Sequence, residues 1–301
     1  MSERTVKLCS VEQAVSYISD GDRVAFGGFA IYQKPMAVVQ ELIRAGRKNL
    51  TIVGCVNSIE ADMLIGAGCV SAIETSYVGL EKYGLAKNYR RLLQDGKLRV
   101  VHYPEMLAWD RFRADREGIP FWPVYFLGGN DVLRDNPDIV PFTCPITGKQ
   151  AWAVPAAAPD VVIIHAYRGD CYGNVQIQER SMLPQYLNVD MARSCRKLIV
   201  TVEKIVDSNE IRKKPHLTLI PAFRTTTISS VPFGSHPTPT LAATQEDDRH
   251  FREYLSASSD EGSFQAYLDR YIRNTKDFND YDYLALIGES RLRELEVLSD
   301  D

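Results

Sequence analysis

Glu105 is the residue around which this sequence can build a reaction. It follows Tyr103 and Pro104 and opens a polar, helix-patterned stretch that carries Arg111 and Arg113. A carboxylate held at the head of a helix can take a proton from water or from a substrate and so serve as a general base. Acidic residues also favour the first helical turn for dipole reasons alone, with no catalytic purpose. The two arginines suit a substrate carboxylate or the phosphates of a nucleotide, and equally suit ion pairs with Asp110, Asp115 or Glu117. A second candidate is Gly27-Gly28, placed between an apolar run at 23–26 and a helical pattern that starts at Pro35. Backbone N–H groups at such a junction can meet an anion or a developing oxyanion, though a plain tight turn uses the same residues. The string is neither GxGxxG nor a P-loop.

The elements that must position these residues are legible as an alternation. Strand-like runs at 23–26, 50–53, 70–77 and 98–102 are interleaved with helical patterns at 35–43, 59–67, 83–94 and from 105 onward. Further strands are expected at 161–165, 175–177, 198–202 and 217–220, with a helix at 183–195. Alternation of this kind implies a mainly parallel sheet flanked by helices, the α/β class. A Pro- and Trp-rich middle, 118–159, separates the two halves; its Phe121, Trp122, Tyr125 and Phe126 either wall an apolar pocket or pack beneath a loop or at an interface. Beyond about residue 241 the strand signals stop, and 245–256, 263–274 and 281–298 read as helices. The expected organisation is an α/β domain at 1–240 and a helical C-terminal extension at 241–301, with 299–301 a frayed acidic tail.

Composition excludes several roles. The 301 residues carry 35 Lys and Arg against 39 Asp and Glu, a net charge of -4, so no general cationic field draws the chain to nucleic acid or anionic lipid. The five histidines are isolated and the six cysteines scattered, so no metal site is expected and the thiols are read as reduced core residues. No run of about 18 apolar residues occurs, and the N-terminus lacks the apolar stretch of a signal peptide. The expected location is the cytoplasm.

Several collinear strings across roughly 5–230 resemble the first half, or α subunit, of the family I coenzyme A transferases. Residues 20–35 match its signature of Asp-Gly, apolar run, Gly-Gly-Phe and Pro, departing at Gln33, where the family carries glycine. Residues 52–58, with Asn57, resemble its strand ending near the thioester; 61–68 and 160–174 resemble its second helix and its Ala-Asp-x-x-Gly-Asn segment. Residues 103–120 are similar, without a gap, to its Thr-Pro-Gln-Gly, Arg-x-Arg-Ala and Gly-Ile-Pro segment. Glu105 stands where that family has its active-site glutamine, and so offers a proton acceptor in place of an amide donor.

The resemblance implies the transferase fold, shared with sugar-phosphate isomerases, and a separate β subunit of similar fold, in a heterodimer or heterotetramer. The second family signature, Ser-Glu-Asn-Gly with its thioester-forming glutamate, is absent, which puts the active site between chains. It implies Gly27, Gly28, Phe29, Gln33 and Asn57 around the substrate and its oxyanion, Arg111 and Arg113 as carboxylate or phosphate contacts, and no cofactor beyond the CoA carried by the substrate. Within the family, a large α chain with Glu at position 105 is most similar to the α subunit of the heteromeric hydrolases that open the last steroid ring in cholesterol-degrading bacteria. The expected activity is hydrolytic C–C cleavage of a cyclic keto-acyl-CoA with the thioester left intact. The alternative is an acyl-CoA:carboxylate CoA-transferase of the glutaconate type, its nucleophilic glutamate on the β chain. A ligand-sensing regulator would need a helix-turn-helix segment that the sequence lacks, and a scaffolding α chain would leave all chemistry to its partner.

Overall fold

The computed structural model describes residues 5–178, 183–279 and 282–297; the acidic 299–301 end and residues 281 and 298 of the last helical stretch lie outside them. Seven parallel strands form the centre of the molecule: β1 (Arg23–Phe26), β2 (Leu50–Val53), β3 (Val70–Thr75), β4 (Arg99–His102), β5 (Val161–Gly169), β6 (Lys197–Ile205) and β7 (Thr227–Ser230). Their spatial order is β7-β6-β5-β1-β2-β3-β4. The chain steps outward from β1 to β4, then returns to lay β5, β6 and β7 on the other side of β1. Two short strands, Val175–Gln176 and Thr218–Ile220, add antiparallel pairing at the end of β5.

Both faces of the sheet are buried, as parallel strands require. Alternate residues of one strand enter different cores: Val24, Ile52 and Ile163 one, Ala25, Val53 and Ile164 the other. The flanking helices are α1 (Met36–Arg44), α2 (Ile59–Gly66), α3 (Lys87–Gln94), α4 (Glu105–Arg116) and α5 (Leu183–Arg193). No helix among the described residues is long and apolar enough to cross a membrane.

Two segments differ from the sequence expectation. The helix expected over 83–94 begins only at Lys87, because Gly84, at φ +114°, ends a separate 3-10 turn, Glu81–Tyr83. The Pro- and Trp-rich middle is a three-stranded antiparallel sheet of Phe121–Val124, Val140–Thr143 and Gln150–Pro155, the last lying between the other two. Pro123 and Pro141 sit on its edge strands, where a missing N–H breaks no ladder.

The C-terminal helices α6 (Asp248–Ala257), α7 (Glu261–Leu268), α8 (Tyr283–Ile287) and α9 (Glu289–Leu295) share a core with α1 and α2 through Phe251, Tyr254, Phe264 and Tyr283. Asp62 of α2 is the polar tie. Its carboxylate, fully buried, accepts from the Tyr254 hydroxyl at 2.6 Å, the Tyr89 amide at 2.7 Å and the Asn88 side chain at 3.2 Å. Burial pushes its carboxyl above the usual range, with these donors acting against the shift.

Phe264 approaches α2 so closely that a Cβ on Gly66 would lie 2.6 Å from its ring and 2.6 Å from the Asn88 amide carbon. Gly66→Ala in a helix without such neighbours gains about 0.5–1 kcal/mol. Here the sign is expected to reverse, with a lowered urea midpoint; a raised midpoint would show that the C-terminal helices do not pack as described.

Candidate active site

The reversal of strand order between β1 and β5 puts a crevice at the carboxyl ends of the strands, the usual ligand position in open α/β sheets. A cleft of about 880 Å³ opens there on the β1 to β4 side. Each strand contributes the residues that follow it: Phe29 to Tyr32 after β1, Val56 after β2, Ser76 and Tyr77 after β3, and Tyr103, Pro104 and Glu105 after β4. Glu81 and Lys82 of the 3-10 turn and Glu246 of the C-terminal segment complete the rim.

Glu105 is exposed at the first position of α4, its place fixed by Pro104, which cannot continue β4. The Cys55 thiol donates to the Glu105 carbonyl oxygen at 3.4 Å. Burial, and then the Glu105 charge, push that thiol up to about 12, so Cys55 stays a protonated neighbour.

The glycine turn contributes shape, and its first two amides are already committed. The Gly27 N–H donates to the Ile163 carbonyl at 2.8 Å and the Gly28 N–H to the Asn188 side chain at 2.7 Å. A Cβ on Gly28, at φ +80°, would strike the Tyr32 carbonyl oxygen at 2.3 Å, so only glycine lets the loop fold back on itself. Phe29 and Tyr32 close that fold with reciprocal backbone bonds of 3.0 and 2.9 Å. The Ala30 and Ile31 amides at its tip have no partner among the described residues, and both residues line the cleft. These are the amide donors that sequence reasoning missed; they sit past the glycines that signal the turn, in residues with no signature of their own.

Gln33 and Asn57 lie beneath the cleft. Gln33 holds φ +58° where the resembling family has glycine, and its side-chain amide donates to the His165 carbonyl at 2.9 Å. Asn57 is buried in a network that forms the floor: Lys34 Nζ pairs with Glu60 Oε1 at 2.9 Å and donates to the Val56 carbonyl at 3.1 Å. Glu60 also accepts from the Asn57 side chain at 3.1 Å and the Ser58 N–H at 2.9 Å, and Asn57 accepts from the Thr75 hydroxyl at 2.8 Å. Lys34 and Glu60 are 1% and 0% exposed at their side chains, so neither ion has water to fall back on.

Arg111 and Arg113 are not brought to the cleft. Arg111 is buried against the Tyr103 ring, 3.9 Å from its centroid, and pairs with Glu74 at 2.6 Å; Arg23 grips the same carboxylate at 2.7 Å. Burial alone would raise the Glu74 carboxyl, and the two guanidinium groups outweigh it and hold it below the ordinary value. Arg113 pairs with Asp110 at 2.8 Å and Asp190 at 3.5 Å. His165 is buried between Thr201 at 2.8 Å and Glu203 at 2.9 Å. Phe121, Trp122, Tyr125 and Phe126 lie in or beside the three-stranded sheet and do not line the cleft.

A doubly flanked parallel sheet with a cleft at its switch point defines an α/β ligand-binding protein. The model of the coenzyme A transferase family matches residues 9–230, and this chain belongs to that family. One of the two kinds of chain in such enzymes, from the 3-oxoadipate CoA-transferase of Pseudomonas knackmussii, is 32% identical over 95% of this chain and 99% of its own length. A longer Archaeoglobus fulgidus protein of unassigned function is 36% identical over 98% of this chain, which spans 66% of that protein. The IpdA subunit of the cholesterol ring-cleaving hydrolase of Rhodococcus jostii is 24% identical over 95% of this chain and 97% of its own. Among solved structures, glutaconate coenzyme A-transferase from Acidaminococcus fermentans superposes with a TM-score of 0.92 at 28% identity, covering 97% of this chain and 96% of that one.

Removing one member of the buried pair strands the other. Lys34→Met is expected to cost about 3–5 kcal/mol of stability by urea unfolding, and adding Glu60→Leu to recover much of it. A single variant as stable as wild type would mean the pair does not hold the cleft floor.

Proposed function

We propose that the chain is the α subunit of a two-chain enzyme that binds an acyl-CoA with its acyl group in the 880 Å³ cleft, the β subunit closing the open side. Its relatives are named as individual subunits of larger enzymes, which supports the second chain. The reaction we assign is hydrolytic cleavage of a C–C bond in a cyclic keto-acyl-CoA. The observation that carries it is the carboxylate of Glu105 at the cleft edge, at the head of α4, where the resembling transferases carry a neutral amide.

Glu105 takes a proton from water as the hydroxide oxygen attacks the ring ketone. The tetrahedral alkoxide collapses, and the bond to the carbon beside the thioester breaks because the thioester carries the departing electron pair as an enolate. Protonated Glu105 returns its proton to that carbon. The product keeps its CoA and gains a carboxylic acid. The unpaired Ala30 and Ile31 amides are placed to donate to the alkoxide or enolate oxygen, a contribution that grows as charge develops. Tyr32, Tyr77 and Tyr103 supply flat, largely apolar walls suited to a ring system.

A second reading, transfer of CoA from an acyl-CoA to a carboxylic acid, is favoured by the higher identity and nearly complete coverage of the 3-oxoadipate transferase chain. In that case the β chain supplies the nucleophile, and Glu105 orients the thioester.

With the β subunit co-expressed, Glu105→Gln is expected to lower ring opening at least about 100-fold while acyl-CoA binding persists. Mass spectrometry of the wild-type reaction in heavy-oxygen water decides between the readings. Label in a ring-opened product still bearing CoA supports hydrolysis; CoA appearing on added acetate or succinate supports transfer. Undiminished ring opening by the Gln variant would remove Glu105 from the mechanism.

A further inference from the structure

The acyl cleft contains a charge arrangement that neither reading above uses. Its lining holds three carboxylates, Glu81, Glu105 and Glu246, and Lys82 is the one side-chain cation among the described residues that line it. Lys82 is paired with Glu246, and its side chain remains 57% exposed while that of Glu246 is 23% exposed. The two residues come from distant parts of the chain. Lys82 stands on the 3-10 turn, Glu81–Tyr83, which closes back through a Leu80 to Gly84 backbone bond of 2.8 Å. Glu246 stands on a segment clasped to the last described residues: the Gln245 N–H donates to the Leu295 carbonyl at 2.7 Å, and the Val297 N–H to the Ala243 carbonyl at 2.9 Å. Tyr83 stacks on Phe251 of α6 with ring centroids 4.4 Å apart, which fixes the two segments side by side.

We propose that Lys82 is a specificity-determining residue that reads a carboxylate on the acyl chain, remote from the thioester, by exchanging its bond to Glu246 for one to the substrate. The inference rests on the reading that the acyl group occupies this cleft, and holds whether the reaction is hydrolysis or transfer. The exchange is one carboxylate for another, so the ammonium never loses its counter-charge, and the released Glu246 is already partly in water. Exposed ion pairs are weak, so Glu246 is a replaceable partner. The pair also keeps Lys82 charged, since the Glu246 bond raises its pKa above the ordinary lysine value. A monocarboxylic acyl chain has nothing to offer the ammonium and leaves the pair closed. The surrounding carboxylates penalise any anion that does not reach Lys82. They penalise a doubly charged phosphate more than a carboxylate, and phosphate sites gather arginines and helix N-termini, whereas this rim carries one lysine among three carboxylates. The anion is therefore assigned to the acyl chain, in preference to the phosphates of CoA.

The test is equilibrium binding by calorimetry to the complex of this chain with its β subunit. The probes are straight-chain acyl-CoAs of four to eight carbons, each with or without a terminal carboxylate, and free CoA. Wild type is expected to prefer the carboxylate-bearing member at one chain length. Lys82→Met should cut that preference about tenfold, near 1.4 kcal/mol, and Glu246→Gln should raise it by freeing the ammonium. The proposal is overturned if wild type shows no preference at any length, or if the preference survives in Lys82→Met. It is also overturned if Lys82→Met weakens free CoA and every acyl-CoA equally, which would assign Lys82 to the phosphates. Failure of the hydrolytic reading leaves this outcome untouched, since turnover is not measured.

Discussion

The buried pair of Lys34 and Glu60 is the constraint on which the rest of the cleft depends. It joins the loop after β1 to the turn after β2, and through Asn57 and Thr75 it reaches the end of β3. Three of the four strand ends that shape the cleft are thereby fixed relative to one another by one desolvated contact with its accompanying hydrogen bonds. Such a pair is a poor source of net stability, because two ions must leave water to form it. Its value lies in direction: an ammonium with a carboxylate and a carbonyl as partners tolerates few other positions of the backbone that carries it. The loop above is consequently held with its Ala30 and Ile31 amides unpaired at the cleft, while the amides on either side are bonded internally.

Electrostatics divides the site's ionisable groups into those that hold and those that remain available. Arg23, Arg111 and Glu74 form a closed set under Tyr103, and Arg113 is taken by Asp110 and Asp190. The groups left at the surface of the cleft are Glu81, Lys82, Glu105 and Glu246. That division follows from burial: a charge removed from water must be paired, whereas one at a rim is free to change partners.

Much of the frame was legible because its periodicities are local. β1, α1, β2 and α2 could be read within a residue or two from apolar spacing, with Pro35 and the glycine turn as punctuation, and Glu105 stood out by its place after Tyr103-Pro104. The three-stranded sheet was not legible, since prolines on its edge strands mimic a loop. β7, Thr-Ile-Ser-Ser, is too short and polar to signal a strand, and forms only because β6 offers it a full edge. Side-chain commitments were the least legible of all. Nothing near Arg111 in the sequence points to Glu74, and Gln33 tolerates a glycine-like backbone because the His165 carbonyl anchors its side chain, a partner known only once β5 lies beside β1.

The family match ends at residue 230, yet the rim of the cleft includes Glu246. The portion that falls outside the shared region is thus also the portion that finishes the binding surface. A chain trimmed to the shared region would keep the floor and lose part of the wall, and two members alike in every family motif could still select different acyl groups. Grafting the segment from 241 onward between such members would transplant preference without touching the strands that position Glu105.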